Sequence, residues 1–213
     1  SRTMKKLRAF AAILAVGAAL SACQPARAPA ADGAKGGLSI APLNYAFREL
    51  PNGLRVYAMP DSSTASVSVA VWYDVGSKDD PASRSGFAHL FEHLMFKSTT
   101  NMPPETFDRL TEDAGGFNNA STWNDFTNYY ESVPANHLER VLWGEAERMG
   151  SLVIDDANFK SERDVVKEEF RQSILSNPYG KLLGLYMAQS GFNVHPYGRP
   201  GIGSIEQLDA ATV

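Results

Sequence analysis

Residues 89–93 read His-Leu-Phe-Glu-His. On a helix, His89 and His93 are four residues apart and project from the same side, while Glu92 lies one turn from His89 on the adjoining surface. Two imidazoles so spaced converge on one metal ion, and a carboxylate beside them is placed to take a proton from metal-bound water. The order HxxEH, the reverse of the commoner HExxH, is a hydrolase signature. The chain holds four histidines in all, so a chance match of three fixed residues is rare, although two ordinary helix histidines beside an acid remain the plainer reading. A hydrolytic zinc site usually takes three protein ligands and leaves a fourth position for water. With a single cysteine in the chain, the ligands must come from histidines and carboxylates. The best neighbourhood for the third is SERDVVKEEF, residues 161–170, where Glu162, Glu168 and Glu169 compete. Glu162 and Glu169 are seven apart and share a helix face, while Glu168 is turned about 100° from Glu169. Periodicity pairs Glu162 with Glu169 without bringing either to a metal, since a charge run on a helix is ordinarily a solvated face.

The elements that must position these residues follow from the hydrophobic pattern. Pro51-Asn52-Gly53 signals a turn between short strands at 47–50 and 54–60, and VSVAVWYDV (67–75) has the β-branched and aromatic content of a buried strand. The motif helix is expected over about 86–96, and Pro103-Pro104 opens another that Gly115-Gly116 stops. Strands are expected at 117–123 and 127–133. They lead into an amphipathic helix, 136–150, with Leu138, Val141, Leu142, Ala146 and Met149 as its apolar stripe. A helix over about 157–176 carries the acidic candidates, another runs to about 190, and FNVHPYGRPGIG (192–203) is a loop. Strands in hairpins followed by helices predict an α+β fold: a mainly antiparallel sheet covered on one face by helices. His137 is expected to be an ordinary residue of a helix's first turn, and His195 and Tyr197 structural residues of their loop.

Residues 1–22 are set apart as a leader: Lys5, Lys6 and Arg8 precede an apolar run, Ala9 to Leu20, too short to span a bilayer permanently. Ser1 to Thr3 stand ahead of Met4, which is expected to be the natural start. Leu20-Ser21-Ala22-Cys23 resembles the lipobox of bacterial lipoproteins. That resemblance implies cleavage before Cys23, lipidation of its thiol and, with Gln24 next, a place on the periplasmic face of the outer membrane. Residues 23–43, rich in Ala, Pro and Gly, read as a flexible tether, and 44–213 as the domain. The leader holds four basic residues and no acidic ones, which leaves 16 basic against 24 acidic residues after it. Such a balance argues against nucleic acid as a partner and makes the lipid at Cys23 the membrane attachment. The sequence stops at Val213 as a helix is starting, so it is expected to be part of something longer.

Beyond the metal motif, PNGLRV, VWYDVGSKDD, GFAHLFEHLMFKST, GGFNNAST, TNYYE, ERDVVKEE and HPYGRPGIGS together resemble the N-terminal part of a pitrilysin/insulinase family metallopeptidase, over about residues 44–213. Ser98 departs from the family's frequent glycine. The resemblance implies one Zn²⁺ per active site, with His89, His93 and Glu169 as ligands; Glu169 lies 76 residues beyond His93, at the family's spacing. It further implies Glu92 as general base, Glu162 as an acid orienting the site, and Asn119, Ala120 and Ser121 as an edge that aligns an extended peptide or unfolded polypeptide. A second homologous domain or chain is implied to complete the chamber. Because the family includes paired chains of which one has lost its site, a non-catalytic partner subunit is the alternative.

Overall fold

The computed structural model describes residues 41–213; the expected leader, Cys23 and the tether up to residue 40 lie outside them. The chain divides at Pro60 into two units. In the first, β1 (Ala46–Glu49) and β2 (Arg55–Ala58) form an antiparallel hairpin that pairs Ala46 with Ala58 and Glu49 with Arg55. Its turn is closed by Gly53 N–H donating to the Leu50 carbonyl at 2.8 Å, and Gly53 takes a φ of 85°, a conformation that favours glycine.

The second unit, Asp61–Val213, is built on a three-stranded antiparallel sheet of β3 (Ser66–Tyr73), β5 (Phe117–Thr122) and β6 (Thr127–Pro134), in the order β3-β6-β5. Register sorts the side chains. Val67, Val69, Val71 and Tyr73 oppose Val133, Glu131, Tyr129 and Thr127, so both strands send their odd-numbered residues to one face, the one that is buried along β6. On β5 the same face receives Asn118, Ala120 and Thr122. A short pair, β4 (Ser98–Thr99) with β7 (Leu152–Val153), was not foreseen, being only two residues a side.

Among the described residues six α-helices accompany the strands: α1 (Phe87–Leu94), α2 (Thr106–Glu112), α3 (Leu138–Gly150), α4 (Asp156–Phe170), α5 (Met187–Gly191) and α6 (Ile205–Asp209). A π turn, Arg171–Leu175, prolongs α4 to the expected length, and another, Leu182–Tyr186, precedes α5. Among the described residues no helix is long and apolar enough to cross a membrane.

Packing fixes how α1 is rotated. Leu90 and Leu94 are buried against Phe159 and Val166 of α4, together with Leu208 and Ala211, and burying each leucine stabilises the fold by about 1.5–3 kcal/mol. His89 and His93 sit one residue before each leucine, so the same contact turns them toward α4. The helix's start is fixed from a distance. Gly86 precedes it with a φ of 94° and carries no side chain to cap it; instead Asp80 accepts the N–H of Gly86 through Oδ2 at 2.7 Å and that of Ala88 through Oδ1 at 2.8 Å. Arg199, from the HPYGRP loop, donates to the carbonyls of Asp80 and Lys78 and holds that capping segment.

The stripe expected on α3 needs correction. Val141, Gly144, Glu145 and Arg148 are the buried residues, while Leu142 and Met149 are exposed. The inward face contains a charge network: Arg148 pairs with Glu131 of β6 at 3.0 Å and with Glu145, all three side chains at most 3% exposed. Its guanidinium lies 3.9 Å from the ring centre of Phe107 and 4.3 Å from that of Tyr129. Two carboxylates share one buried cation, so burial and the neighbouring Glu145 push the Glu131 carboxyl well up. A hydrophobicity pattern assigns such residues to the surface; tertiary pairing puts them inside.

Candidate metal centre

From α1, His89 and His93 project side by side, their ring centres 4.9 Å apart and their planes nearly perpendicular at 88°. From α4, Glu162 and Glu169 face them. Glu169 Oε2 lies 3.6 Å from His89 Nε2 and 3.5 Å from His93 Nε2, and Glu162 Oε2 lies 3.5 Å from His93 Nδ1. Among the described residues, His89, His93 and Glu169 form the one group of potential ligands that gathers within 4.8 Å. Three donors each 2.0–2.1 Å from a common centre, in tetrahedral directions, stand about 3.3 Å apart. The observed separations from Glu169 match that spacing, and they exceed the usual 2.7–3.2 Å range of N–H···O hydrogen bonds. The donor set, two imidazole nitrogens and a carboxylate oxygen, therefore fits a zinc ion in both chemistry and spacing.

The protonation of the two histidines differs for physical reasons. Burial, reinforced by the neighbouring His93, lowers His89 to about 4, so its imidazole is neutral near pH 7. Burial opposes a proton on His93 as well, but Glu162 and Glu169 outweigh it and raise that imidazole to about 9. Glu169 is correspondingly lowered, chiefly by its interaction with His93. Burial would raise Glu162, yet His93 and Lys97 prevail and lower it. Burial raises Glu92, against the effect of a hydrogen bond from Thr122. On the far side of its ring, His89 Nδ1 is buried without a partner among the described residues.

Residues Asn119, Ala120 and Ser121 lie on β5, whose other edge is unpaired among the described residues. His137 stands just before α3, outside the metal group, and His195 accepts the Tyr197 N–H within its own loop. Tyr197 in turn donates to Asp125 at 2.5 Å, which agrees with a structural role. Glu168 turns away to Arg171 and Gln172, as its offset from Glu169 implies.

Two neighbours escaped the sequence reading. Lys97 Nζ forms an ion pair with Glu162 Oε1 at 2.6 Å, at an angle outside that of a hydrogen bond, and thereby anchors the acid that meets His93. Its place four residues after His93 is the only hint the sequence holds. Thr122 Oγ1 donates to Glu92 Oε2, a contact 30 residues apart that only the tertiary fold brings together.

Residues 55–203 match the family model described as "Insulinase (Peptidase family M16)". The chain belongs to the insulinase family. Within that family it is similar to the zinc protease PqqE of Helicobacter pylori, with 37% identity over 165 residues that cover 77% of this chain and 37% of that protein. Among solved structures it resembles a protease from Helicobacter pylori, with a TM-score of 0.75 and 36% identity over 80% of this chain and 41% of that one. It also resembles pitrilysin, with a TM-score of 0.67 and 26% identity over 78% and 18% of the two chains. The chain thus spans well under half the length of these insulinase-family relatives.

Proposed function

We propose that this chain carries the catalytic centre of a zinc-dependent peptidase that hydrolyses peptide bonds in extended peptides or unfolded polypeptides. The observation that carries the reading is the gathering of His89, His93 and Glu169 within 4.8 Å, with Glu92 on the same helix. His89, His93 and Glu169 would hold the zinc. When bound there, zinc would polarise the scissile carbonyl and lower the pKa of a water. Glu92 accepts the proton of the attacking water and returns it to the leaving amine; its carboxyl is raised by burial, which suits a group that must take up a proton and release it again. Glu162, anchored by Lys97, orients His93 through Nδ1.

The free edge of β5 at Asn119, Ala120 and Ser121 is suited to receive an extended peptide as an added strand. Backbone pairing of that kind reads shape before side chains, so broad specificity follows. A second homologous domain, on the same chain or a partner, would close the chamber around the substrate; the similarity to much longer relatives supports this. We further propose that the protein is lipid-anchored through Cys23 on the periplasmic face of the outer membrane. The test of the catalytic reading is to compare peptide cleavage and zinc content in the parent and in Glu92→Gln. A non-catalytic partner subunit would cleave nothing in either form.

A further inference from the structure

The carboxylate of Glu92 ends a side chain with three rotatable bonds, and Thr122 is the residue that hydrogen-bonds to it. Glu92 Oε2 accepts a hydrogen bond from Thr122 Oγ1. Thr122 is the last residue of β5, and its register with Thr127 places it on the helix-facing side of the sheet. Thr127 gives its own hydroxyl proton to the Val75 carbonyl at 2.9 Å and lies 3.4 Å from Thr122 Oγ1. Each hydroxyl has a single proton, and an ionised carboxylate can only accept. The Thr122 proton is therefore committed to Oε2, and no side-chain hydroxyl of the described residues donates to Oε1.

We propose that Thr122 is a positioning residue for Glu92: its hydroxyl holds the carboxylate in one rotamer and reserves Oε1 for proton transfer. This rests on the reading of Glu92 as the general base and of β5 as the peptide edge. It adds a physical link between the two. The strand whose outer edge would carry the peptide also grips the base by its final side chain, so substrate register and base position are set by one element. The Thr122 side chain points toward the helices and not along the strand edge, so removing its hydroxyl leaves the backbone that pairs with peptide intact.

The test uses the complete gene product with Thr122→Val, Thr122→Ser and Glu92→Gln. Valine keeps the β-branched shape and removes the hydroxyl; serine keeps the hydroxyl. Thr122→Val is expected to lower kcat for an extended peptide by about 10- to 100-fold, the usual range for a supporting contact of this kind. KM is expected to stay within about twofold, and Thr122→Ser to recover kcat to within about threefold. Zinc per chain should be unchanged in both. In zinc-free protein, the ¹³C resonance of the Glu92 side-chain carboxyl should move in Thr122→Val and return in Thr122→Ser. Should the valine variant not fold, Thr122→Ala serves for the same comparison with serine. Parental kcat in the hydroxyl-free variant, with Glu92→Gln inactive, overturns the role of Thr122 and leaves that of Glu92 standing. Full activity in Glu92→Gln overturns both.

Discussion

His93 sits between two carboxylates, and this determines what it does before any metal arrives. With its pKa raised to about 9 by Glu162 and Glu169, it is protonated near neutrality, whereas His89, lowered to about 4, is not. The raised pKa means that the ion pairs of His93 stabilise the metal-free fold fully below its ordinary pKa of 6.5, and that this stability is lost as pH rises through about 9. A ligand must be neutral at the metal-binding nitrogen, so zinc has to displace the Nε2 proton of His93. Calorimetric titration in buffers of different ionisation enthalpy at about pH 7.5 is expected to show about one proton released per zinc. Release of none would contradict the assignment of His93. The histidines and Glu92 were legible because a four-residue spacing on a helix is local. Glu169 became a specific ligand candidate only through resemblance, since periodicity alone left it on an ordinary charged face. Lys97 and Thr122 were not legible, because their roles exist only where separate elements meet.

At the scale of elements, the centre is made by the packing of α1 on α4 and by the capping of α1. Leu90 and Leu94 were visible as helix residues, but their facing Phe159 and Val166 could not be deduced from either stretch alone. The cap was equally hidden: Gly86 offers no side chain, and the acceptor is Asp80, six residues upstream and held by Arg199. Asp80 uses both carboxylate oxygens, one for each N–H. Asparagine would keep one acceptor and turn an amide N–H₂ toward the other donor. Asp80→Asn is therefore expected to lower stability by about 1–3 kcal/mol, read from urea unfolding. Unfolding at the parental urea concentration would show that α1 does not depend on this cap. The α3 stripe shows the opposite failure. Its apolar pattern was clear, yet Glu145 and Arg148 occupy the inward face, because Glu131 of β6 provides a buried partner and aromatic rings cover the guanidinium.

For the whole molecule, the α+β architecture and its antiparallel sheet agree with the expectation from the strand and helix pattern, and membership of the insulinase family places that architecture among zinc proteases. Among the described residues the outer edge of β5 is unpaired, a strand template that proteins ordinarily protect, and the proposed peptide edge would use it. The proposed attachment through Cys23 predicts that the protein sediments with membranes and that Cys23→Ser moves it to the soluble fraction; a serine variant still bound to membranes would rule out the lipid anchor. Whether Glu92 is the base of a metal centre held by other residues is tested most directly by zinc content and peptide cleavage measured together in the parent and Glu92→Gln. About one zinc per chain is expected in both, with cleavage reduced about 10²- to 10⁴-fold in the glutamine variant. Loss of zinc from Glu92→Gln, or cleavage at the parental rate, would contradict that role.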